Sequence, residues 1–153
     1  MSPFARWISR QRLVLRLLTV THVAVYTWSG GRLGARGRGL DFLLLHTTGA
    51  RTGRPRTAPL LYLDDRAGPG ASGALVVVGS NGGRANHPAW VHNLRKAPLA
   101  AVTVGRERRP VEARFAAAAE RERLWPLLDR LYPYDAYRAQ TSREIAIVLL
   151  RPV

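Results

Sequence analysis

The sequence predicts a small antiparallel barrel or strongly curled sheet of about six strands, decorated by helices, within the mainly β part of the α+β class. Two observations carry this expectation. Short apolar runs recur between clusters of Gly, Pro, Asp and Asn, the punctuation of strands and turns. The links between those runs are too short, taken together, for the repeated crossovers of a parallel sheet, which argues for antiparallel neighbours. With 153 residues and 46% hydrophobic content the chain has the material for one core, and no repeat or composition shift marks a second.

Taken in order, the run from Phe4 to Trp28 comes first. It sets Trp7, Leu13, Leu17, Val20 and Ala24 at helical spacings among Arg6, Arg10, Arg12 and Arg16. The arginines argue against a membrane-spanning helix, and Thr27-Trp28-Ser29 is a poor cleavage site for a signal peptide. The chain is therefore divided into an N-terminal amphipathic helix at residues 1–30 and a β domain at residues 31–153. The helix either packs on the domain or lies on an anionic membrane surface. Ser29 to Gly39 reads as a connector; Gly34, Gly37 and Gly39 do not match a dinucleotide fingerprint, and no strand precedes them.

Leu40 to Thr47 is a strand, Thr48 to Arg56 a loop, and Thr57 to Leu63 a second strand. Asp64 to Ser72 is a turn, Ala74 to Gly79 a third strand, and Ser80 to Asn86 a glycine loop. His87 to Lys96 reads as a helix with Pro88 in its first turn, an apolar stripe of Trp90, Val91 and Leu94, and Pro98 beyond its end. Leu99 to Val104 and Arg108 to Phe115 pair around Gly105. Ala117 to Leu131 is an amphipathic helix carrying Leu124, Leu127, Leu128 and Leu131, a tyrosine-rich stretch follows, and Ile145 to Leu150 is the closing strand.

Several chemistries are excluded by what the sequence lacks. There is no cysteine, so disulfides, thiolate metal sites and a cysteine nucleophile are out, and a reducing cytoplasm is the expected compartment. His22, His46, His87 and His92 show no paired zinc-helix spacing; His87 and His92 fall on different faces of the expected helix, and no metal is expected. Ser80 lacks the glycine two residues before it that a nucleophile elbow carries, and no carboxylate pair suits glycoside hydrolysis. What remains is chemistry carried by a bound organic cofactor, or none.

The net charge of +14 asks for an anionic partner. Lys96 is the only lysine. Arginine's planar fork grips two phosphate or carboxylate oxygens together, although the Ala-, Gly- and Pro-rich composition accounts for part of the arginine count. The charge concentrates meaningfully in Thr47-Thr48-Gly49-Ala50-Arg51-Thr52-Gly53-Arg54-Pro55-Arg56. There two glycines free the backbone to curl its amides around an anion, and three arginines supply matching charge that a plain hairpin does not need. A second loop, Ser80-Asn81-Gly82-Gly83, precedes a helix opening near Asn86-His87-Pro88. At one rim of a barrel the donors of both loops would converge on one phosphate.

These blocks resemble the deazaflavin (coenzyme F420)-dependent nitroreductase family. The resemblance rests on Leu44 to Arg56 followed by Pro59-Leu60, on Gly79 to Gly83, on His87-Pro88-Ala89-Trp90 with Asn93-Leu94, and on Tyr132-Pro133 through Tyr137, Thr141, Arg143 and Ile145, in order over Gly31 to Val153. It implies a split β-barrel like that of flavin mononucleotide (FMN) reductases, holding coenzyme F420. Carried over by position, Ala50, Arg51, Thr52 and Arg56 would meet the cofactor phosphate. Thr57, Ala58, Pro59, Leu60 and Leu61 would run beside the deazaflavin ring, and Val78, Gly79, Ser80 and Asn81 would close the phosphate and ring edge. Ala89, Trp90, Val91, His92 and Asn93 would line the other side. Tyr132, Tyr134 and Tyr137 would border the substrate cavity, with Tyr134 or Tyr137 as proton donor beside water as the alternative. The sequence departs from the family at Asn81, often basic, at Ala58, often asparagine, and at Leu61, often aromatic, and its tyrosine segment is one residue shorter.

The implied activity is hydride transfer from reduced deazaflavin to a small, hydrophobic, electron-poor acceptor: a quinone, an enone or a nitro compound. The rival readings are FMN in the same fold, and a non-catalytic F420 carrier associated with a membrane. A homodimer suits the fold, whereas nucleic acid does not suit the chain, because no aromatic–basic stacking face is evident.

Overall fold

A computed structural model describes residues 36–37 and 40–153; the expected helix from Phe4 to Trp28 lies outside them. The strands are β1 (Arg36–Gly37), β2 (Leu40–Thr48), β3 (Pro55–Leu61), β4 (Leu63–Asp65), β5 (Ala74–Gly79), β6 (Leu99–Val104), β7 (Glu107–Phe115) and β8 (Ala146–Pro152). The helices are α1 (Ala89–Lys96), α2 (Ala118–Leu131) and α3 (Tyr134–Arg138), and a 3-10 turn, Asn81–Gly83, follows β5. The strands form one antiparallel sheet in the order β1-β2-β6-β7-β8-β5-β4, with β3 paired to β2. Six of the eight strands are six or more residues long, as the sequence suggests, and the sheet curls into the split-barrel form. Among the described residues, no helix is long and apolar enough to cross a membrane.

The sheet is buried on both faces at β5 and β8, and strand alternation sorts their side chains between two cores. Leu75 and Val77 of β5, with Ala146, Val148 and Leu150 of β8, join Leu43, Leu45, Trp90, Val91 and Leu94 in the first core. Ala74, Val76 and Val78, with Ile147 and Leu149, join Leu124, Leu128 and Tyr134 in the second, beneath α2 and α3. That is why both strands read as unbroken apolar runs. Helix α1 packs directly on the end of β5: a Cβ at Gly79 would lie 2.9 Å from Val91 Cγ2 and 3.4 Å from Ala146 Cβ.

Two ion pairs tie α2 to the sheet. Arg123 binds buried Asp65 through both guanidinium nitrogens, at 3.1 and 2.6 Å, and the Ser72 amide donates to the same carboxylate at 2.8 Å. The Arg123 guanidinium holds the Asp65 carboxyl at about 2, against the opposing pull of burial. At the start of α2, Glu120 accepts the Ala117 amide at 3.0 Å and both Arg114 nitrogens of β7 at 2.7 and 2.6 Å.

Local punctuation misplaces some boundaries. Asp64 and Asp65 belong to β4 rather than to the turn, because Leu63, Asp64 and Asp65 pair with Val76, Leu75 and Ala74. β3 begins at Pro55, since Thr48 and Pro55 already pair. Helix α1 starts at Ala89, with His87 and Pro88 before it, and the tyrosine-rich stretch contains α3. β1, opposite Leu40 and Asp41, falls within the expected connector.

Candidate cofactor site

The anion loop between β2 and β3 is closed by its own backbone. Gly49 donates to the Arg54 carbonyl and Gly53 to the Gly49 carbonyl, both at 2.8 Å. Glycine is required at both places: a Cβ on Gly49 would sit 2.8 Å from Thr52 Oγ1, and Gly53 has φ +67°. Helix α1 then clamps the loop. Asn93 Oδ1 accepts the Ala50 amide at 2.8 Å, its Nδ2 donates to Thr47 Oγ1 at 3.0 Å, and Lys96 Nζ donates to the Ala50 carbonyl at 2.7 Å. The Ala50 amide expected at a phosphate is therefore committed to Asn93. Among the described residues, the amides of Arg51 and Thr52 have no intramolecular acceptor, and the exposed Arg51, Arg54 and Arg56 have no acidic partner. Thr52 Oγ1 also draws in the Arg56 guanidinium at 3.5 Å.

This loop forms one end of a cavity of about 690 Å³. Its walls are Thr47, Gly49, Ala50, Arg51 and Thr52, then Arg56, Thr57 and Ala58 of β3, and opposite them His87, Ala89, Trp90, His92 and Asn93. Trp90 is rooted in the first core, so the apolar wall is rigid. Thr57 is held from behind by His46, whose Nδ1 lies 3.1 Å from Thr57 Oγ1 and whose Nε2 lies 2.8 Å from Thr103 Oγ1, spanning β3, β2 and β6. Burial, then the charge of Arg108, lowers the His46 pKa below its ordinary value. His46 is thus a structural bridge whose neutral form burial favours.

Of the residues the resemblance points to, Ala50, Arg51, Thr52, Arg56, Thr57, Ala58, Ala89, Trp90, His92 and Asn93 meet around this cavity. Pro59, Leu60 and Leu61 continue β3 beyond its wall, Leu60 packing on the first core, where Val91 is fully buried. Val78 faces the second core. The carbonyls of Gly79 and Ser80 are taken by Arg143, and Asn81, at φ 48°, spends its side-chain amide on the Asn86 carbonyl at 2.9 Å. The second glycine loop thus reaches the cavity through His87 rather than through Ser80 to Gly83.

The structure does not bring the three tyrosines to this cavity. Tyr134 is 5% exposed in the second core, with Tyr132 and Tyr137 packed against it and their hydroxyls 3.0 Å apart. The apolar outer face of β5 and β8 had to be covered, and α3 covers it. Burial, followed by the neighbouring tyrosines, raises the Tyr134 pKa and makes its hydroxyl harder to ionise. His87 and His92 differ from expectation in the opposite sense: their rings meet edge to face with centroids 5.8 Å apart. His87 precedes the helix, so helical spacing does not separate them. Thr47, Gly49 and His87 line the cavity without having been singled out as ligands; the Pro after His87, which ends the loop there, was the available signal.

A guanidinium-rich loop with free amides at one end, and Trp90 and Ala58 along an apolar wall, suit a ligand with a phosphate and a flat ring. The sequence model of the F420H(2)-dependent quinone reductase family matches residues 18–152. An F420H(2)-dependent quinone reductase of Mycobacterium tuberculosis is 36% identical over 151 residues, covering 95% of this chain and 96% of that protein. Among solved structures, an F420-H2 dependent reductase aligns with a TM-score of 0.62 at 32% identity, over 72% of this chain and 93% of that one. A chain solved as a domain-swapped dimer aligns with a TM-score of 0.64 at 29% identity, over 98% and 100%. With the cavity, its anion loop and these likenesses in agreement, the chain belongs to the F420H(2)-dependent quinone reductase family.

Proposed function

We propose that this chain transfers a hydride from reduced coenzyme F420 to a small apolar acceptor of the quinone class. Arg51, Thr52 and Arg56 would hold the cofactor phosphate, and Thr57, Ala58 and Trp90 would border its ring. The single observation that carries this reading is one cavity with a cationic, amide-bearing end and a rigid apolar wall. When bound, the cofactor supplies a hydride from its ring carbon and the chain supplies position. Arg51 and Arg56 neutralise the phosphate, Trp90 and Ala58 keep water from the ring face, and Asn93 fixes the loop that holds the arginines. Quinone reduction takes up a proton with the hydride. With neither Tyr134 nor Tyr137 among the residues that line the cavity, water entering at the cavity mouth is the favoured source.

Titrating the fluorescence of F420 against the protein tests the site. Arg51→Ala and Arg56→Ala are expected to weaken binding by about 1.5–3 kcal/mol each, roughly ten- to a hundredfold, without loss of fold. Wild-type affinity in both variants, or preference for FMN over F420, overturns the reading. Oxidation of the reduced cofactor by a soluble quinone, followed by the return of its absorbance, tests the reaction. A homodimer is proposed alongside, from the dimeric structural relative, and light scattering measures it.

A further inference from the structure

Arg143, in the segment leading into β8, binds the loop after β5 with nearly all its donors. Nε reaches the Arg84 carbonyl at 3.0 Å, Nη2 the Ser80 carbonyl at 2.8 Å, and Nη1 the Gly79 carbonyl at 3.2 Å. Nη1 also lies 3.3 Å from His87 Nδ1. A guanidinium can only donate, so Nδ1 must accept, and the single proton of the neutral ring sits on Nε2. The surroundings favour the neutral ring. Burial, then the charges of Arg95, Arg143 and His92, lower the His87 pKa below the ordinary imidazole value, with Glu144 opposing. Among the described residues Nε2–H has no hydrogen-bond acceptor in the protein, and His87 lines the cavity.

We propose that His87, fixed by Arg143 in the Nε2–H tautomer, is a neutral hydrogen-bond donor to an oxygen of the bound cofactor. This rests on the cofactor reading above. Arg143 acts through His87 and is a positioning residue. A fixed neutral donor suits an oxygen that a third cation would over-bind, and it selects orientation rather than charge.

The tautomer is read in the free protein, from the ring nitrogen shifts of His87 in long-range ¹H–¹⁵N spectra near neutral pH. The Nε2–H form is expected in the wild type and a mixture of tautomers in Arg143→Met; an Nδ1–H ring or an imidazolium in the wild type overturns the assignment. Binding is read by fluorescence titration with F420 and with its phosphate-free deazaflavin fragment. His87→Leu is expected to weaken F420 about three- to tenfold. His87→Gln, whose amide nitrogen stands near the Nε2 position, is expected to bind within about twofold of wild type. A loss seen with both ligands assigns the bond to an oxygen outside the phosphate, and a loss with F420 alone assigns it to the phosphate. Should Arg143→Met fail to fold, the wild-type spectrum and the two His87 variants still decide. Wild-type affinity in His87→Leu overturns the proposal, whereas failure of the wild-type protein to bind F420 overturns the cofactor reading itself and leaves the tautomer result standing.

Discussion

At the scale of single residues, Asn93 shapes the site chiefly through its bonds to the loop. Its carboxamide takes the Ala50 amide and gives to Thr47, and at 5% exposure it has no water to replace them. Asn93→Ala is expected to free the loop and leave the partly buried Ala50 amide without its acceptor, costing about 1–3 kcal/mol of stability and weakening F420 binding about tenfold. Urea unfolding and cofactor titration measure the two effects separately, and loss of neither would detach α1 from the site. His46 has a different signature. Its folded pKa is lowered and its unfolded one is ordinary, so its contribution to stability is full above the unfolded value and falls as pH drops through and below it. Wild-type stability should therefore decline from about pH 7 to about pH 5 more steeply than that of His46→Gln. Parallel denaturation series show it, and equal slopes would mean that the imidazole titrates alike in both states.

At the scale of elements, β5 and β8 form the partition between two chemistries. One face carries the first core and, through Trp90, the cavity; the other is sealed by α2 and α3. Tyr134 belongs to the seal. Removing its ring with Tyr134→Ala is expected to cost about 3–5 kcal/mol, whereas Tyr134→Phe, which keeps the ring, should leave cofactor affinity and turnover near wild type. Turnover falling a hundredfold in the phenylalanine variant, with affinity kept, would restore the hydroxyl to the reaction.

At the scale of the whole molecule, the chain carries a net charge of +14, and the proposed cofactor is an anion. Described acidic residues such as Asp64, Asp65, Glu107 and Glu120 are already paired with arginines, which leaves the loop arginines to shape the field at the cavity. Between about 0.1 M and 1 M salt the screening length falls from about 10 Å to about 3 Å. F420 affinity is then expected to fall on the order of tenfold as the long-range part of the attraction is lost. A potassium chloride series of titrations measures this, and an affinity flat across the range would leave direct contacts as the whole of the binding.

The long strands, α1, α2 and the anion loop follow from local pattern: apolar runs, the spacing of Trp90, Val91 and Leu94, and glycines among arginines each constrain only their own neighbourhood. Family membership was legible for the same reason, because ordered short blocks carry it. What pattern could not assign was partnership across distance. The Asn93–Ala50 bond joins residues 43 apart in sequence and the Arg143–His87 contact residues 56 apart, and both exist only because the sheet order sets those segments side by side. The tyrosines were equally undecidable, since a strand buried on both faces reads as one apolar run and does not say which face a following aromatic segment will cover. The sequence by itself determined the long strands, the composition of the loop and the family; the pairing order of the sheet decided that α1 clamps that loop, that His87 joins the cavity, and that the tyrosines close the opposite face.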